Sequence, residues 1–408
     1  MAVVALLATL SAFVSNGSIL NAGERPVEKY SPSIASQCEM PDNNNDFACN
    51  LFRALNEHKQ GDSSIIVSPI SVSYMLGMLG RGADGETRRQ INEVLGLGGS
   101  VQEINEYFKK VMDEAPNVDP AVTVKIANCI EVNSSLGIRL IPQYKADMKK
   151  YYNAQVDALD FTKDSSLRRI NKWCNGHTDG MIPSILDELD SQAIMYLLNA
   201  VYFKAPWAAK FDPGATRDMD FTKQDGSIVK RPMMHLKTKA AYAKNDLCEM
   251  LRLPYGNGDY SIFVMLPCEG KTVGDIIRSL SAQELKQQRM LDGATHEVDI
   301  LIPRFTTESE TKLENVLSSM GMPRAFTRAA EFPNMTEGYL LVSMIMQKAK
   351  IEVNEEGTKA AAVTVSKMVL GSGVSLDVRT FHATHPFVYY IVEGNTGSIL
   401  FMGTYCGD

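Results

Sequence analysis

The sequence predicts a mixed α+β fold in one large domain, and three observations support this prediction. Helical and strand-like patterns are interspersed along the chain without a regular strand–helix–strand alternation. The 408 residues are 45% hydrophobic, which is enough material for a sizeable core. No linker, internal repeat or change of composition interrupts the chain after residue 46. We therefore expect a single domain over residues 46–408.

The first third of the chain is predicted to be mainly helical. Asp46 precedes an apolar stripe and is the expected N-cap of the first helix. Ser68 and Pro69 are typical of the N-cap and first residue of a second helix. Two more helices are predicted over residues 86–96 and 101–114. The stripes buried by the first two helices contain Phe47, Leu51, Phe52 and Leu55, then Val72, Met75, Leu76 and Leu79.

Strands dominate the prediction for the remainder of the chain. The apolar run at residues 194–203 is typical of a central strand that is covered on both faces. Glycine-rich turns between strand patterns indicate hairpins. In order, we predict a strand at 122–132, a helix beginning at 167 around Trp173, the strand at 194–203, short strands within 230–267, a helix at 273–289, and strands at 298–302, 340–353, 387–392 and 399–404, with a hairpin turn at 394–397.

The N-terminal region has the pattern of a signal peptide followed by a tail. An apolar run over residues 3–14 is too short to span a membrane, which needs about 20 residues, and is typical of a signal-peptide core. Small residues favour cleavage before Ser18, so we expect a signal peptide over residues 1–17 and secretion. Residues 18–45 are polar and interrupted by prolines, which predicts a flexible tail.

Two short motifs predict modification of a secreted chain. Asn133 and Asn334 each begin an Asn-x-Ser/Thr sequence and are candidate glycosylation sites.

The seven cysteines are too few for a disulfide scaffold, and their odd number leaves at least one thiol free. A bond between Cys38 and Cys49 would tie the predicted tail to the first helix, and it stays open beside the alternative of buried thiols.

Charge and motif content argue against several classes of partner. A net charge of −7 does not favour nucleic acid or anionic membranes. The predicted helix over 101–114 mixes lysines with acidic residues, so glycosaminoglycan binding is not predicted. Residues 270–272 lack the first glycine of a phosphate-binding loop. His382 and His385 fall on opposite faces of a predicted strand, which does not suit a shared metal. We predict no cofactor and no metal site.

Residues 355–370 form an unusual segment of small and β-branched side chains near the C-terminus. With the two-residue period of a strand, the even-numbered residues from Thr358 to Leu370 share one face, which contains no charge. Lys359 and Lys367 fall on the other face. Gly357 gives the start of the segment backbone freedom. The segment can therefore be a flexible loop and can also enter a sheet as a strand, although composition alone favours a disordered linker.

This segment resembles the proximal hinge of inhibitory serpins. The hinge residues are Glu355, Glu356, Gly357 and Thr358, followed by Ala360, Ala361 and Ala362. Other stretches are similar to the same family, in the same order: Ser68-Pro69-Ile70-Ser71, Trp173 with Thr178 and Gly180, Asn199-Ala200-Val201-Tyr202-Phe203-Lys204 with Trp207, His385-Pro386-Phe387, and Leu400-Phe401-Met402-Gly403. The resemblance extends from about residue 47 to about residue 405.

The resemblance implies a serpin fold with three β-sheets, eight to nine helices and an exposed reactive-centre loop at about residues 355–380. Serpins of this type are attacked by a serine protease and trap it as a covalent 1:1 complex when the cleaved loop inserts into sheet A. We therefore expect a secreted, monomeric suicide inhibitor that is not an enzyme. A non-inhibitory serpin that carries, stores or signals is the alternative. A Cys-His hydrolase is a distant third, since no residue pair selects it.

The resemblance also assigns a strand-opening region, in which polar groups bond between strands that separate during insertion. Many serpins have His at the position of Gln347. An amide can donate and accept, so we expect the bonding to survive without the pH dependence that a His would give. An ordinary helix cap and a buried amide are the structural alternatives for two of these residues. The corresponding residues here are Ser68, Ser71, Asn199, Trp207 and Gln347.

The family's usual loop length predicts the bond that a protease attacks. Counting from Gly357 places it between Gly371 and Ser372, with cleavage after Leu370 or after Ser372 as alternatives. Neither Lys nor Arg stands there, which predicts elastase-like or chymotrypsin-like targets over trypsin-like ones. Lys367 is the exception, but cleavage after it would leave the loop too short for efficient trapping.

Overall fold

Nine helices and fifteen strands account for the regular structure of the residues that the computed structural model describes, which are 40–59, 61–114, 119–289, 295–358 and 378–408. These residues belong to one compact unit, Ser33–Asp408. Within these ranges, no helix is long and apolar enough to cross a membrane. The predicted mixed fold and the predicted number of helices are confirmed for this part of the chain.

Most helices precede or flank the strands in small groups. Helix α2 begins at Pro69 and is buried along almost its whole length, so it forms the centre of the core. The helices are α1 (Met40–His58), α2 (Pro69–Gly82), α3 (Gly85–Leu95), α4 (Val101–Glu114), α5 (Pro142–Tyr152), α6 (Asp164–His177), α7 (Val273–Ser279), α8 (Ala282–Arg289) and α9 (Glu314–Ser319).

The strands vary from two residues to seventeen. They are β1 (Ile65–Val67), β2 (Thr123–Asn133), β3 (Gln155–Leu159), β4 (Met195–Pro206), β5 (Arg217–Thr222), β6 (Ile228–Lys244), β7 (Cys248–Tyr255), β8 (Tyr260–Pro267), β9 (Thr295–Pro303), β10 (Phe305–Lys312), β11 (Met344–Asn354), β12 (Gly357–Thr358), β13 (Val378–His382), β14 (Phe387–Glu393) and β15 (Ile399–Tyr405).

The described strands form two hydrogen-bonded sheets, where the resemblance implies three. A six-stranded sheet has the order β10-β11-β12-β4-β2-β3. The other sheet has the order β1-β15-β14-β8-β7-β6-β9-β13, with β5 also paired to β6. Strand β6 pairs with β5 and β9 in one part and with β7 at its end. Because β6 pairs with β5 and β9 and also with β7, two of the three expected sheets are joined into one.

The six-stranded sheet is covered on both faces. Along β4, Leu197, Val201 and Phe203 point into the main core, which also holds α2 and the inner face of the other sheet. The alternate residues, Leu198 and Ala200, belong to a second apolar cluster with α6. Every residue from 195 to 203 is buried, as the apolar run predicts for a strand covered on both faces.

The first helix begins earlier than predicted. It starts at Met40, so Asp46 is not its N-cap, and residues 40–45 are not part of a flexible tail. The reason is that the asparagines are buried and bonded. Asn45 donates to Gly397 O at 2.9 Å and accepts from Ile399 N, while Asn44 accepts from Ser73 Oγ at 2.6 Å. These polar side chains form hydrogen bonds with buried partners and not with solvent.

Other differences concern the division of elements. The helical pattern at 273–289 is split into α7 and α8, and residues 228–244 form one long strand where short ones were expected. The strand predicted at 340–353 starts only at Met344, because Ser343 uses its hydroxyl oxygen to accept from Ile194 N. Strand β10, which is half exposed and rich in Thr and Glu, was not predicted, since its alternation is polar.

Candidate functional site

The hinge segment lies between two strands of the six-stranded sheet. Gly357 and Thr358 form β12, which pairs antiparallel with β11 on one side and with β4 on the other. Thr358 is opposite Val353 of β11 and Ala205 of β4. The end of the predicted hinge that the structure describes is therefore already a strand of the sheet.

Strands β11 and β4 pair directly with each other below β12. Their parallel pairing runs from Met344 opposite Tyr196 to Lys350 opposite Tyr202. The same offset continues where β12 separates them, because Val353 and Ala205 flank the same residue, Thr358. The two strands thus keep one register whether they bond to each other or to a strand between them.

Only glycine fits at position 357. The backbone of Gly357 has a φ of +137°, which side chains with a Cβ rarely adopt. A Cβ there would lie 2.1 Å from the carbonyl oxygen of Ala205. The close approach of β12 to β4 therefore depends on the missing side chain.

Thr358 is completely buried and anchored by a tyrosine. Its hydroxyl lies 3.1 Å from Tyr255 Oη. The ring of Tyr255 stacks on Trp207 with centroids 4.5 Å apart. Trp207 in turn donates from its indole nitrogen to Asn354 O at 2.7 Å and from its backbone to Glu356 O. An aromatic platform thus holds the turn that leads into β12.

The buried carboxylate of Glu355 forms an ion pair at this turn with Arg304, whose side chain is half exposed. Its carboxylate accepts hydrogen bonds from Arg304, including one of 3.1 Å from Arg304 Nε, and from Thr216 Oγ1 at 2.6 Å. Burial alone would raise the pKa of Glu355, but these hydrogen bonds outweigh it and hold the pKa below its ordinary value. The backbone carbonyl of Glu355 also accepts from Phe211 N.

Glu356 makes a more exposed contact beside it. Lys210 Nζ lies 2.7 Å from Glu356 Oε2, and both side chains are partly open to solvent. Its backbone N–H donates to Asn354 Oδ1 at 3.0 Å. Such a pair contributes little to stability, so Glu355, whose buried carboxylate accepts from both Arg304 and Thr216, is the stronger constraint on the turn.

A buried polar network joins β11 and β4 below the hinge. Gln347 accepts from Ser68 N at 2.7 Å and donates through Nε2 to Ser68 O and to Asn199 Oδ1, both at 3.0 Å. Asn199 donates to Asn128 Oδ1 at 2.8 Å. The structure therefore brings together three of the residues predicted for the strand-opening region, and Gln347 does use both its donor and its acceptor.

Ser68 and Ser71 bond to each other and not to the backbone of α2. Their hydroxyl oxygens are 2.8 Å apart, and Ser68 stands at the N-cap position without a side-chain capping bond. The simple helix-cap alternative is thus incomplete, because the cap residue also links α2 to β11. Both serines are fully buried.

Trp207 was grouped with this network but lies with the hinge. Its partners are Tyr255 and the turn at 354–356, as described above. The hinge partners Arg304, Thr216 and Tyr255 were not predicted, because each is more than 50 residues from its partner in the sequence. The predicted sites at Ala360, Ala361, Ala362, Leu370, Gly371 and Ser372 lie outside the described residues.

The structure corrects one predicted modification site. Asn133 is fully buried, and its Nδ2 donates to Ser191 O and Ala193 O at 3.0 and 2.9 Å. An amide with both hydrogens used in the interior has no room for a glycan, which contradicts the prediction for Asn133. Asn334 is partly exposed and donates once, to Ala83 O. Its glycosylation stays a prediction.

The described cysteines are free thiols. Cys49 is buried and unpaired, and burial raises the pKa of its thiol to about 12. Its proposed partner, Cys38, lies outside the described residues. A buried protonated thiol is unreactive, which is consistent with the interpretation of most cysteines as core residues.

Comparison with known proteins gives one family over nearly the whole chain. The family model described as Serpin (serine protease inhibitor) matches residues 42–407. The leukocyte elastase inhibitor of Sus scrofa is 32% identical over 372 residues, which cover 88% of this chain and 97% of that protein. Neuroserpin of Homo sapiens is 30% identical over 371 residues, covering 88% of this chain and 89% of that protein.

Solved structures agree with this match. Tengpin, a thermophilic serpin in its native state, superposes with a TM-score of 0.82 at 28% identity, covering 93% of this chain and 96% of that chain. Human thyroxine-binding globulin also gives a TM-score of 0.82 at 28% identity, covering 91% and 98%. The fold expected from the resemblance is confirmed, and the similar proteins include one named for elastase inhibition and one named for binding thyroxine.

Proposed function

Because the chain belongs to the serpin family, we propose that it is a suicide inhibitor of a serine protease and traps its target by inserting the cleaved loop beside β12. Family membership supports protease inhibition in general. The observation that carries the proposal for this chain is the placement of Gly357 and Thr358 between β11 and β4. A strand that extends from β12 can grow in one direction only. It would separate β11 and β4 where they now bond to each other.

The proposed reaction begins as ordinary acyl transfer. The serine hydroxyl of the protease attacks the carbonyl carbon of Gly371, the peptide bond to Ser372 breaks, and the released amine of Ser372 takes up a proton. The protease is then held as an ester on Gly371. Insertion from Thr358 to Gly371, at roughly 3.3 Å per residue, carries it about 45 Å.

Insertion is favourable only if the entering face carries nothing that is costly to bury. Ordering each residue costs about 1–2 kcal/mol, which hydrogen bonds and apolar burial must exceed. The even-numbered residues that would follow Thr358 inward contain no charge, and the lysines at 359 and 367 belong to the other row. The composition of the segment therefore supports the proposal.

The residues around the proposed bond favour a particular class of protease. Leu370, Gly371 and Ser372 are apolar or small, which suits elastase-like or chymotrypsin-like enzymes better than trypsin-like ones. The similarity to a leukocyte elastase inhibitor supports the same choice. We further propose that the protein is secreted after loss of residues 1–17, acts as a monomer, and carries a glycan at Asn334.

A non-inhibitory carrier is the second candidate, and one comparison favours it. Thyroxine-binding globulin has the same fold and is named for a small ligand. A carrier needs no insertion, so it tolerates a charged hinge face. The uncharged face and the buried Thr358 of this chain support inhibition instead.

The decisive experiment combines the purified protein with a panel of elastase, chymotrypsin and trypsin. We expect a detergent-resistant adduct with elastase or chymotrypsin, whose mass is the sum of the protease and the inhibitor without the peptide that follows the cleaved bond. The matched control is the same protease with its catalytic serine replaced by alanine, which forms no ester. Cleavage of the loop without any stable adduct across the panel would rule out inhibition and favour the carrier.

A further inference from the structure

A groove with a largely apolar lining lies where the proposed path of insertion ends. It has a volume of about 690 Å³ and is lined mainly by residues between β2 and α5, by Ile194, and by the segment that precedes β11. Leu136 and Tyr339 stand on its rim with 47% and 48% of their surface exposed. Exposed large apolar side chains that share one groove indicate a surface that is covered in another state of the protein.

The groove begins at the last backbone contact between β4 and the segment before β11. Ser343 N donates to Met195 O at 2.9 Å, and Ile194 N donates to Ser343 Oγ at 2.8 Å. Ile194 itself lines the groove. A strand inserted along the whole length of β4 would displace Ser343 from these bonds. The chain that follows this strand would emerge from the sheet next to the groove.

The register of β12 identifies the residues that would arrive there. Thr358 is opposite Ala205 and Val353, and each further residue moves one position back along both strands. Ten residues on, Met368 falls opposite Met195 and Ser343. Val369 then falls opposite Ile194, and Leu370 lies beyond the end of the ladder.

The chemistry of that segment matches the chemistry of the groove. Val369 and Leu370 are consecutive apolar residues just before the proposed bond. Val369 would share the face of Ile194, while Met368 would share the core face of Met195. The apolar part of the groove consists of Leu136, Ile138, Leu140, Ile141, Ile194 and Tyr339, and Arg139, Thr336 and Glu337 complete its lining. Removing both apolar surfaces from water stabilises the inserted state in proportion to the area buried.

We propose that this groove is the docking site for Val369 and Leu370 of the cleaved loop, and that it locks the far end of the inserted strand. The proposal rests on the proposed function, because it needs insertion to occur. It adds that the residues before the attacked bond have a second task after cleavage, which is independent of protease recognition.

A synthetic peptide of residues 359–371 tests the proposal without any protease. Added to the intact protein, it can occupy the path between β11 and β4 and raise the midpoint of thermal denaturation. A peptide with serine at 369 and 370 is expected to dissociate at least about tenfold faster. On the protein, Leu136→Ser and Tyr339→Ser are expected to accelerate dissociation of the parent peptide without changing the intact protein, since both side chains are half exposed.

The cycle of peptide and protein variants gives the specific readout. In the Leu136→Ser and Tyr339→Ser protein, the two peptides should dissociate at similar rates, because the partner surface is gone. Ile228→Ser is the matched control, since Ile228 is 64% exposed but lies on β6. It should leave both peptides unaffected.

The outcomes separate this proposal from the function on which it rests. If no peptide binds or stabilises the parent protein, insertion itself is wrong. If the parent peptide stabilises the protein but the serine peptide dissociates equally slowly, the docking site is wrong and insertion stands. If the groove variants weaken only the captured protease complex and not the peptide, the occupant is the protease surface, which also overturns the proposal.

Discussion

Gln347 and Asn199 face each other across β11 and β4, and the 3.0 Å hydrogen bond between Gln347 Nε2 and Asn199 Oδ1 crosses the line along which we propose that the cleaved loop enters. Neighbouring strands lie about 4.8 Å apart, so a strand between them separates these two residues to about twice that distance. The bond is then lost. Gln347 keeps its two bonds to Ser68, but the buried Asn199 Oδ1 must find a new donor or remain unsatisfied.

Thr364 is the residue that we expect to supply that partner. Six residues after Thr358, the same register places it between Gln347 and Asn199. Thr364→Val removes the hydroxyl at nearly constant volume and leaves Asn199 Oδ1 unpaired in the inserted state, which costs about 1–3 kcal/mol. Slower insertion should increase the moles of inhibitor consumed per mole of protease captured by roughly fivefold or more, measured by titration of protease activity.

Two variants control for the position itself. Thr364→Ser keeps the hydroxyl and should titrate like the parent. Ser366→Ala changes a hydroxyl on the same face that would lie between Leu197 and Ile345, which are apolar, so it should be harmless. Equal titration curves for Thr364→Val and the parent would contradict the proposed register.

Thr358→Arg tests whether the hinge must be buried. Thr358 has no exposed surface and contacts Tyr255, so an arginine there would bury a charge without a partner, at a cost of several kcal/mol. We expect the variant to be cleaved as a substrate, with adduct formation at least about tenfold lower. Thr358→Ser should behave like the parent. Undiminished protease capture by the arginine variant would disprove the role of this face.

Gly357→Ala tests whether β12 needs its close approach to β4. The new Cβ would meet Ala205 O at 2.1 Å, and φ is +137°, so the strain costs about 1–3 kcal/mol. We expect the hinge to leave the sheet, with faster hydrogen exchange at Thr358 N. Gly338→Ala meets no atom closer than 3.8 Å and is the control. Unchanged exchange in the hinge variant would show that β12 tolerates a side chain.

Glu131→Gln should raise stability in a pH-dependent way. Burial, with a smaller contribution from Asp157, raises the pKa of Glu131 to about 8 in the folded protein, against an ordinary 4.5. Between these values the folded state binds more protons than the unfolded state, so stability falls as pH rises. Glutamine removes this dependence, and the variant should be more stable than the parent by about 1–3 kcal/mol at pH 8.

The same pair should converge at low pH. At pH 4.5 the folded parent carries a neutral Glu131, so the midpoints of thermal denaturation of parent and variant should nearly coincide. Glu337→Gln changes an exposed glutamate and should give no difference at either pH. A constant difference across this range would mean that Glu131 acts by packing and not by its charge.

The sequence predicted the parts of the site that depend on local pattern. The small, uncharged face after Gly357 predicted a segment able to enter a sheet, and its described end is in one. Gln347 was expected to replace a histidine in hydrogen bonding, and it does bond to Ser68 and Asn199. The sequence could predict these roles because the type of each side chain restricts the contacts and hydrogen bonds that the residue can make.

The parts that failed depend on distant partners. Asp46 has the pattern of an N-cap, but Asn45 bonds to Gly397 and Ile399, some 350 residues away, and the helix starts earlier. Asn133 has a glycosylation motif, but the backbone carbonyls of Ser191 and Ala193 occupy its amide. No local rule reveals which of many arginines pairs with a given glutamate, so Arg304 was not predicted either.

The short strand β12 has a kinetic consequence. Starting a strand between two others is the slow step, since several residues must be ordered before any ladder forms. Here both ladders already exist at Gly357 and Thr358. If the proposed insertion follows cleavage, the new strand grows from an existing nucleus, one residue at a time, and this favours capture of the protease over hydrolysis of the ester.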